Sequence, residues 1–511
     1  MTRPRRQARW NEPIIMQMSA PGVRGIIPPE VAAEISEGAG DVLAGLESAL
    51  RCSAPALPEI DQAQIVRHYT RLSQEVLGND VSIDIGKGTT TLKYSPKINE
   101  QFARMPQMLD IHPLQPESTV QGILQVMYEF MQIMKEISGM VNFSFQPGGG
   151  SQAIYTNARM VKAYHEHRED AGRDEIITTL FSHPVNAACP QTAGFKVITL
   201  EPGANGYPEV DSFKRAVSER TAGLFITNPE DTGIYNPYIE QIVKVVDDAG
   251  GICVYDQANA NGLLGITRAR DAGFDLCHFN LHKTFSSPHG SGGPGAGAIG
   301  ASEKMEPFLP VPIVEGDGTR FWLDENRPLS IGKVRAFFGV PQVVLRAYAW
   351  VMSLGAEGLK HVAETAVLNN NYLLKKMLEI PGVSIPYPDR RRIEQVRYTL
   401  KRLTEDTGVT TDDMRRRVAE HVTHYWTAHH PVVIPEPTTM EPTESYSKAE
   451  IDDFVGIIRK VAEEAYRDPN LVKNSPHDAI ISRIDESYLD DPQRWAMTWR
   501  AYLKKTSTSN K

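Results

Sequence analysis

Apolar residues recur at Val120, Ile123, Leu124, Met127, Phe130, Met131, Met134 and Ile137. This three-to-four spacing predicts one long amphipathic helix. Ser118, with Gln121 three places on, reads as a capping box at its start. From about residue 140 to 300 the pattern changes. Short apolar runs over 175–181, 195–200, 222–227, 251–255 and 274–279 alternate with helical stretches such as 210–221 and 238–249. Such alternation predicts an α/β fold: a mostly parallel sheet with helices on both faces and ligands at the carboxyl ends of its strands. After about 340, a helical hairpin over 343–354 and 362–378 leads to weaker strand signals and a last helix over 448–466, which predicts a smaller α+β domain.

The first hundred residues hold Pro13, Pro29, Pro55 and Pro58 and show little periodicity, as expected of an arm that a partner subunit buries. The expected organisation is an extended arm over 1–115, a large α/β domain over 116–340, and a small α+β domain over 341–511. The last of these ends in a packed tail around Trp495, Trp499 and Tyr502.

The 511 residues are 41% hydrophobic and 23% charged, an ordinary globular composition. A net charge of -9, despite a short basic start at Arg3, gives no general footprint for nucleic acid or an anionic membrane. No apolar run approaches the roughly 20 residues that cross a bilayer, and the start lacks a secretory apolar core, so a cytoplasmic protein is expected. Cys52, Cys189, Cys253 and Cys277 lack CxxC spacing and read as reduced thiols, three of them in core segments. His165 and His167 diverge at i, i+2 on a charged helix. Neither the His421 and His424 pair nor His429 and His430 has an acidic ligand suitably placed, so no metal site is expected and these read as loop and surface histidines.

Chemistry is concentrated in His282-Lys283-Thr284-Phe285, which follows a strand and precedes a wall containing His289, Gly290, Gly292, Gly293, Gly295 and Gly297. A lysine held where backbone can approach a flat ligand suits covalent attachment of pyridoxal phosphate, since burial or nearby positive charge frees its lone pair. Asp256, at the end of the preceding strand, can pair with a pyridine nitrogen. Pro147-Gly148-Gly149-Gly150-Ser151-Gln152 opens a helix whose N–H groups can hold a phosphate. His183 follows another strand and suits stacking on one face of the ring, with Ala258 on the other, while Thr227 ends the strand between them. The plainer alternatives are a surface lysine, a simple strand-to-helix turn and a satisfied loop histidine. The glycines after Lys283 do not open a helix and so are not a dinucleotide fingerprint.

Longer motifs run through the chain in order: Pro21-Gly22-Val23-Arg24-Gly25, Val66-Arg67-His68-Tyr69-Thr70-Arg71-Leu72-Ser73, Lys93-Tyr94-Ser95-Pro96-Lys97, His112-Pro113-Leu114-Gln115-Pro116 and Glu441-Pro442-Thr443-Glu444-Ser445. With the Lys283 segment, they resemble glycine decarboxylase, the P-protein of the glycine cleavage system, in its subunit 2 form. The resemblance implies fold type I of the pyridoxal-phosphate enzymes, with Lys283 carrying the cofactor, Asp256 on its ring nitrogen, His183 stacked on it and 150–152 near its phosphate. It also implies a separate subunit 1 in an α2β2 assembly and transfer of an aminomethyl group to the lipoyl arm of an H-protein.

The chain departs from the family pattern in several loops. Gly86-Lys87-Gly88-Thr89-Thr90-Thr91-Leu92-Lys93 stands where a Gly-Ser-Cys-Thr-Met-Lys run is usual, so the cysteine is gone. Asn228-Pro229-Glu230-Asp231-Thr232-Gly233 replaces Asn-Pro-Asn-Thr-Leu-Gly, and Glu394-Gln395-Val396-Arg397-Tyr398 falls where His-Glu-Phe-Val is expected. Glu230 and Asp231 read either as amine-binding groups or as a solvated acidic turn. A divergent decarboxylase or lyase acting on another amino acid or acceptor, and a catalytically silent binding subunit, are the alternatives to glycine decarboxylation. The carboxylate-binding candidates are Arg335 and Lys93.

Overall fold

The structure, a computed structural model, describes residues 8–26, 29–53, 55–78, 80–87, 90–288, 295–427, 433–480, 483–484, 491, 495–496 and 498–509. Arg3, Gly88, Thr89, His289, Gly290, Gly292, Gly293, His429 and His430 lie outside the described residues.

Seven strands make the main sheet: β1 (Asn142–Ser144), β2 (Glu175–Thr179), β3 (Lys196–Leu200), β4 (Thr221–Thr227), β5 (Ile252–Asp256), β6 (Leu276–Asn280) and β7 (Gly297–Ala301). Their order is β1-β7-β6-β5-β4-β2-β3. Strands β2 to β6 are parallel, and β7 runs antiparallel to both of its neighbours. The parallel strands β5 and β6 are buried along their whole length, as strands covered on both faces must be, and so is the antiparallel β7. β3, at the edge, is partly exposed and carries Lys196 outward.

The long helix spans Gln121–Ser138 and buries Leu124, Met127, Phe130, Met131 and Met134, the predicted stripe. Its start differs from the expected capping box. Residues Glu117–Thr119 form a 3-10 turn, Val120 is the N-cap without a side-chain bond, and Gln121 donates to the carbonyls of Glu117 and Phe321. The glutamine is thus used to hold the hairpin of β8 (Ile313–Gly316) and β9 (Phe321–Asp324). Gly139, with φ +75°, ends the helix in the left-handed conformation that glycine adopts at no steric cost.

The two predicted helices are present within Pro341–Met377, separated at Gly355, whose φ of +66° and ψ of -178° are not helical. The helix expected over 210–221 stops at Ala216, because Thr221 already belongs to β4. In the C-terminal unit β10 (Val396–Thr399) pairs antiparallel with β11 (Pro437–Met440). A second core gathers Leu373, Met377, Tyr398, Phe454 and Ile458 there, together with Ile83 and Ile85 from the N-terminal stretch. The helix Lys448–Arg467 begins at a capping box of Ser447 and Glu450. Short helices follow it at Pro469–Lys473 and Trp499–Ser509; Trp495, Tyr502 and Leu503 are exposed, and the Tyr502 ring stacks on Trp499.

Candidate active site

Strand pairing brings the chemistry together. Thr227 and Asp256 end β4 and β5, and His278, two residues before the end of β6, stands abreast of them, in the register Thr227↔Asp256 and Asp256↔His278. Ligands gather at such strand ends. Three residues beyond β6, Lys283 is held by its N–H to the Asn280 carbonyl at 3.0 Å. Phe285 anchors the loop beyond it in an aromatic cluster with Phe130, Phe279 and Trp350.

Lys283 is buried, and the cost of desolvating an ammonium lowers its pKa below the ordinary lysine value. The charges of Asp256, Glu441 and Asp231 offset part of that effect. Asp256 is also buried. Burial alone raises its pKa, but His278, His183, the Ala258 N–H and the Asn186 amide outweigh it and hold the carboxylate below its usual range. The Asn186 amide donates to Oδ2 at 2.8 Å and Ala258 N to Oδ1 at 3.0 Å. His278 Nδ1 lies 3.4 Å from Oδ1, and burial lowers the pKa of this imidazole. An ionised aspartate fixed beside a buried amine is the arrangement the sequence suggested.

His183, Thr227, Asn228, Pro229, Asp231, Asp256, Ala258, Asn259, Lys283, Glu394 and Gln395 line one cleft of about 390 Å³. The structure therefore gathers Lys283, Asp256, His183, Ala258 and Thr227 around a single space. Gly150, Ser151 and Gln152 begin the helix Gly150–His167, whose first backbone bond is Ala153 N to Gly149 O at 2.9 Å. Their own N–H groups accordingly have no acceptor within the helix. A side chain at Gly150 would press on the Asn280 amide at 2.9 Å, and one at Gly295 on the Gly148 carbonyl and on His282 Nδ1, each at 3.0 Å. This glycine cradle lets backbone approach a phosphate closely. His282 borders the cradle, with Nδ1 3.3 Å from the Ala296 carbonyl oxygen. The residues thus fit a phosphorylated, carbonyl-bearing cofactor.

Several functional residues were not singled out from sequence. His278 carried no signal beyond a position two before the end of β6. Glu441 is fully buried; it accepts from Asn261 at 2.6 Å, Asn259 at 2.8 Å and Thr91 at 2.7 Å, tying β11 to the cleft. Glu230 and Asp231 are not a solvated turn, since both are buried. Burial pushes the Glu230 pKa up to about 8, and it does the same for Glu394. Of the two candidates for a substrate carboxylate, Lys93 is engaged with Glu444 at 2.7 Å, and Arg335 sits against Gly148 beside the phosphate cradle. His165, expected at the surface, is buried and lies 2.9 Å from the Ala222 carbonyl oxygen. All four cysteines are free: Cys253 and Cys277 are buried, Cys189 is half-buried and Cys52 exposed. Among the described residues no His, Cys, Asp or Glu cluster could hold a metal, and no helix is long and apolar enough to cross a membrane.

The fold is type I of the pyridoxal-phosphate enzymes. The structure matches a crystal structure of glycine decarboxylase (P-protein) of the glycine cleavage system in inhibitor-bound form, with TM-score 0.71 and 20% identity over 85% of this chain and 100% of that one. It also matches the cysteine desulfurase CsdA of Escherichia coli, with TM-score 0.58 and 15% identity over 75% of this chain and 95% of that one. Residues 362–477 match the family described as glycine dehydrogenase, C-terminal domain. Probable glycine dehydrogenase (decarboxylating) subunit 2 of Pyrococcus horikoshii is 42% identical, with 97% of each chain covered. The protein of that name from Caldanaerobacter subterraneus is 42% identical over 84% of this chain and 88% of its own. The chain belongs to the glycine dehydrogenase (decarboxylating) subunit 2 family.

Proposed function

We propose that this chain is the pyridoxal-phosphate subunit of a glycine decarboxylase in a glycine cleavage system. The observation that carries the reading is the buried Lys283 amine facing one cleft with the buried, ionised Asp256. When bound, pyridoxal phosphate supplies an electron sink for the carbanion left as carbon dioxide departs. Lys283 would hold it covalently, the N–H groups of Gly150, Ser151 and Gln152 would hold its phosphate, and Asp256 would accept from its ring nitrogen. His183 and Ala258 would flank the ring.

The chain's own residues prepare this chemistry. Burial keeps Lys283 ready to lose its proton, so the amine is nucleophilic and can later return a proton. Asp256 keeps its charge because Asn186 and Ala258 are already turned toward it, which costs no reorganisation during reaction. Relatives named subunit 2 imply a subunit 1 as partner, and we place the assembly, α2β2 with a lipoyl H-protein as acceptor, in the cytoplasm.

Borohydride treatment of the purified complex, followed by peptide mass spectrometry, tests the reading. The expected result is a phosphopyridoxyl mass on Lys283 that is absent from Lys283→Ala, together with glycine-dependent exchange of labelled bicarbonate in the presence of subunit 1. A complex that takes up the cofactor but exchanges only with another amino acid would overturn glycine as the substrate.

A further inference from the structure

The loop that carries Lys283 is bound from behind by the N-terminal stretch. Ser95 Oγ donates to the Ser286 carbonyl at 2.7 Å, and the Ser286 hydroxyl returns a bond to the Tyr94 carbonyl. Lys93 Nζ donates to the carbonyl of Thr284, the residue after Lys283, at 2.8 Å. Ser286 holds φ +60°, a left-handed conformation that residues other than glycine keep only where their surroundings fix it. The exchange of bonds with Tyr94 and Ser95 fixes it there.

Lys93 is also where separate parts of the chain meet. It is buried, pairs with Glu444 Oε1 of the C-terminal unit at 2.7 Å, and lies 3.4 Å from Asn261 Oδ1 in the loop after β5. Nζ sits 4.5 Å from the centre of the Trp350 ring, which packs against Phe285. On either side of Lys93, Thr91 donates to Glu441 and Tyr94 N to Ser445 Oγ at 2.8 Å. The strap over 91–95 is therefore held by the C-terminal unit and itself holds the Lys283 loop. Strap residues Lys93 and Ser95 line a second cavity, of about 1540 Å³, together with His282 and Ser287, so there is space into which the loop can shift if these bonds are lost.

We propose that Lys93 is a positioning residue for Lys283: it fixes the loop over 283–287 in its working geometry, and does so only while the C-terminal unit supplies Glu444. This rests on the reading of Lys283 as the lysine that carries pyridoxal phosphate. A reacting amine must be held to a fraction of an ångström, and a small displacement imposed from outside the site lowers the rate steeply. A lysine suits the task, because its N–H groups turn freely toward partners in different directions. Here those partners are the Thr284 carbonyl, the Asn261 amide oxygen and the Glu444 carboxylate.

The competing explanation is a pair that stabilises the fold and leaves Lys283 indifferent. The variants that separate the two are Lys93→Met, Lys93→Arg, and Lys93→Met combined with Glu444→Gln. The combined variant removes the carboxylate that would otherwise lose its cation, so the test stands even where Lys93→Met alone fails to fold. Each is studied in the complex with subunit 1. Deuterium exchange of the peptide containing 283–287 is measured before cofactor is added, and the pH midpoint of the visible absorption of the bound cofactor afterwards. In Lys93→Met and the combined variant, exchange is expected to quicken roughly tenfold. The pH midpoint is expected to move by about half a unit or more. The kcat for glycine is expected to fall roughly tenfold with KM little changed. Lys93→Arg is expected to recover part of each.

Wild-type exchange, pH midpoint and kcat in the combined variant, with only thermal stability lowered in Lys93→Met, would assign the pair to the fold and overturn the proposal. Faster exchange with an unmoved pH midpoint would overturn it too, because the loop would then loosen without disturbing Lys283. A wild-type complex that takes no phosphopyridoxyl label on Lys283 would remove the underlying reading. A labelled wild type with unchanged variants would remove this inference alone.

Discussion

Asp256 keeps its charge inside protein because three kinds of group face it: the Asn186 amide, the Ala258 N–H and the His278 imidazole. Charge-assisted hydrogen bonds to buried groups are worth about 1.5–3 kcal/mol. Asp256→Asn is therefore expected to weaken cofactor retention by roughly tenfold or more, measured by dialysis and residual visible absorption. Glu230 and Glu394 behave in the opposite way. Each has a folded pKa of about 8 against an ordinary 4.5, because burial penalises the charged form. The folded state then binds more protons than the unfolded state between those values. The stability this contributes is fully present below about pH 4.5 and is lost as pH rises through about 8. Stability, read as the thermal midpoint, is expected to fall between about pH 4.5 and pH 8, by about 1 kcal/mol per pH unit for each group, with the slope flattened in Glu230→Gln and Glu394→Gln. Lys283, Asp256 and His183 were legible because each follows an apolar strand in a recognisable motif. His278 was not, and neither was the burial of Glu230 and Glu441, since burial of a polar side chain depends on what the rest of the chain places over it.

At the scale of elements, the parallel strands were legible as short apolar runs separated by helices. β7 was not, because Gly-Ala-Ile-Gly-Ala lacks the bulky residues by which a strand is recognised. Its small side chains are required by packing: a Cβ at Gly300 would meet the Phe143 ring at 2.5 Å and Cys277 Sγ at 2.8 Å. The break at Gly355 was legible as the gap between the helical patterns over 343–354 and 362–378. The loop Glu230–Gly233 has a similar local demand. Gly233 has φ +80°, and a side chain there would collide with the Gln395 carbonyl. Gly233→Ala is expected to cost about 2 kcal/mol or more, read as a lower urea midpoint, and to loosen the junction between β4 and β10.

The whole molecule leaves apolar side chains uncovered along its first part, including Trp10, Ile14, Ile26, Ile35, Val42, Leu57 and Leu114. Scattered exposed apolar residues are ordinary, but a long series of them on one stretch marks a surface meant for burial. The chain expressed alone is expected to self-associate. With subunit 1 it is expected to elute as one defined complex in size-exclusion chromatography, and the N-terminal stretch should become resistant to protease. Neither the extent of that surface nor its covering could be read from proline content, which reports only that regular structure is sparse.

The cleft is assembled from parts of the chain that emerge at different times. Asp256 ends β5 and Lys283 follows β6 of the large sheet, whereas Glu394 and Gln395 arrive much later from the C-terminal unit. During synthesis, domains fold as units with the N-terminal one first. The ribosome therefore releases a nearly complete cofactor cradle before the wall that faces the substrate exists. In that interval the amine is expected to condense with any carbonyl compound that reaches it, and the wall from the C-terminal unit is expected to be the last part of the cleft to form.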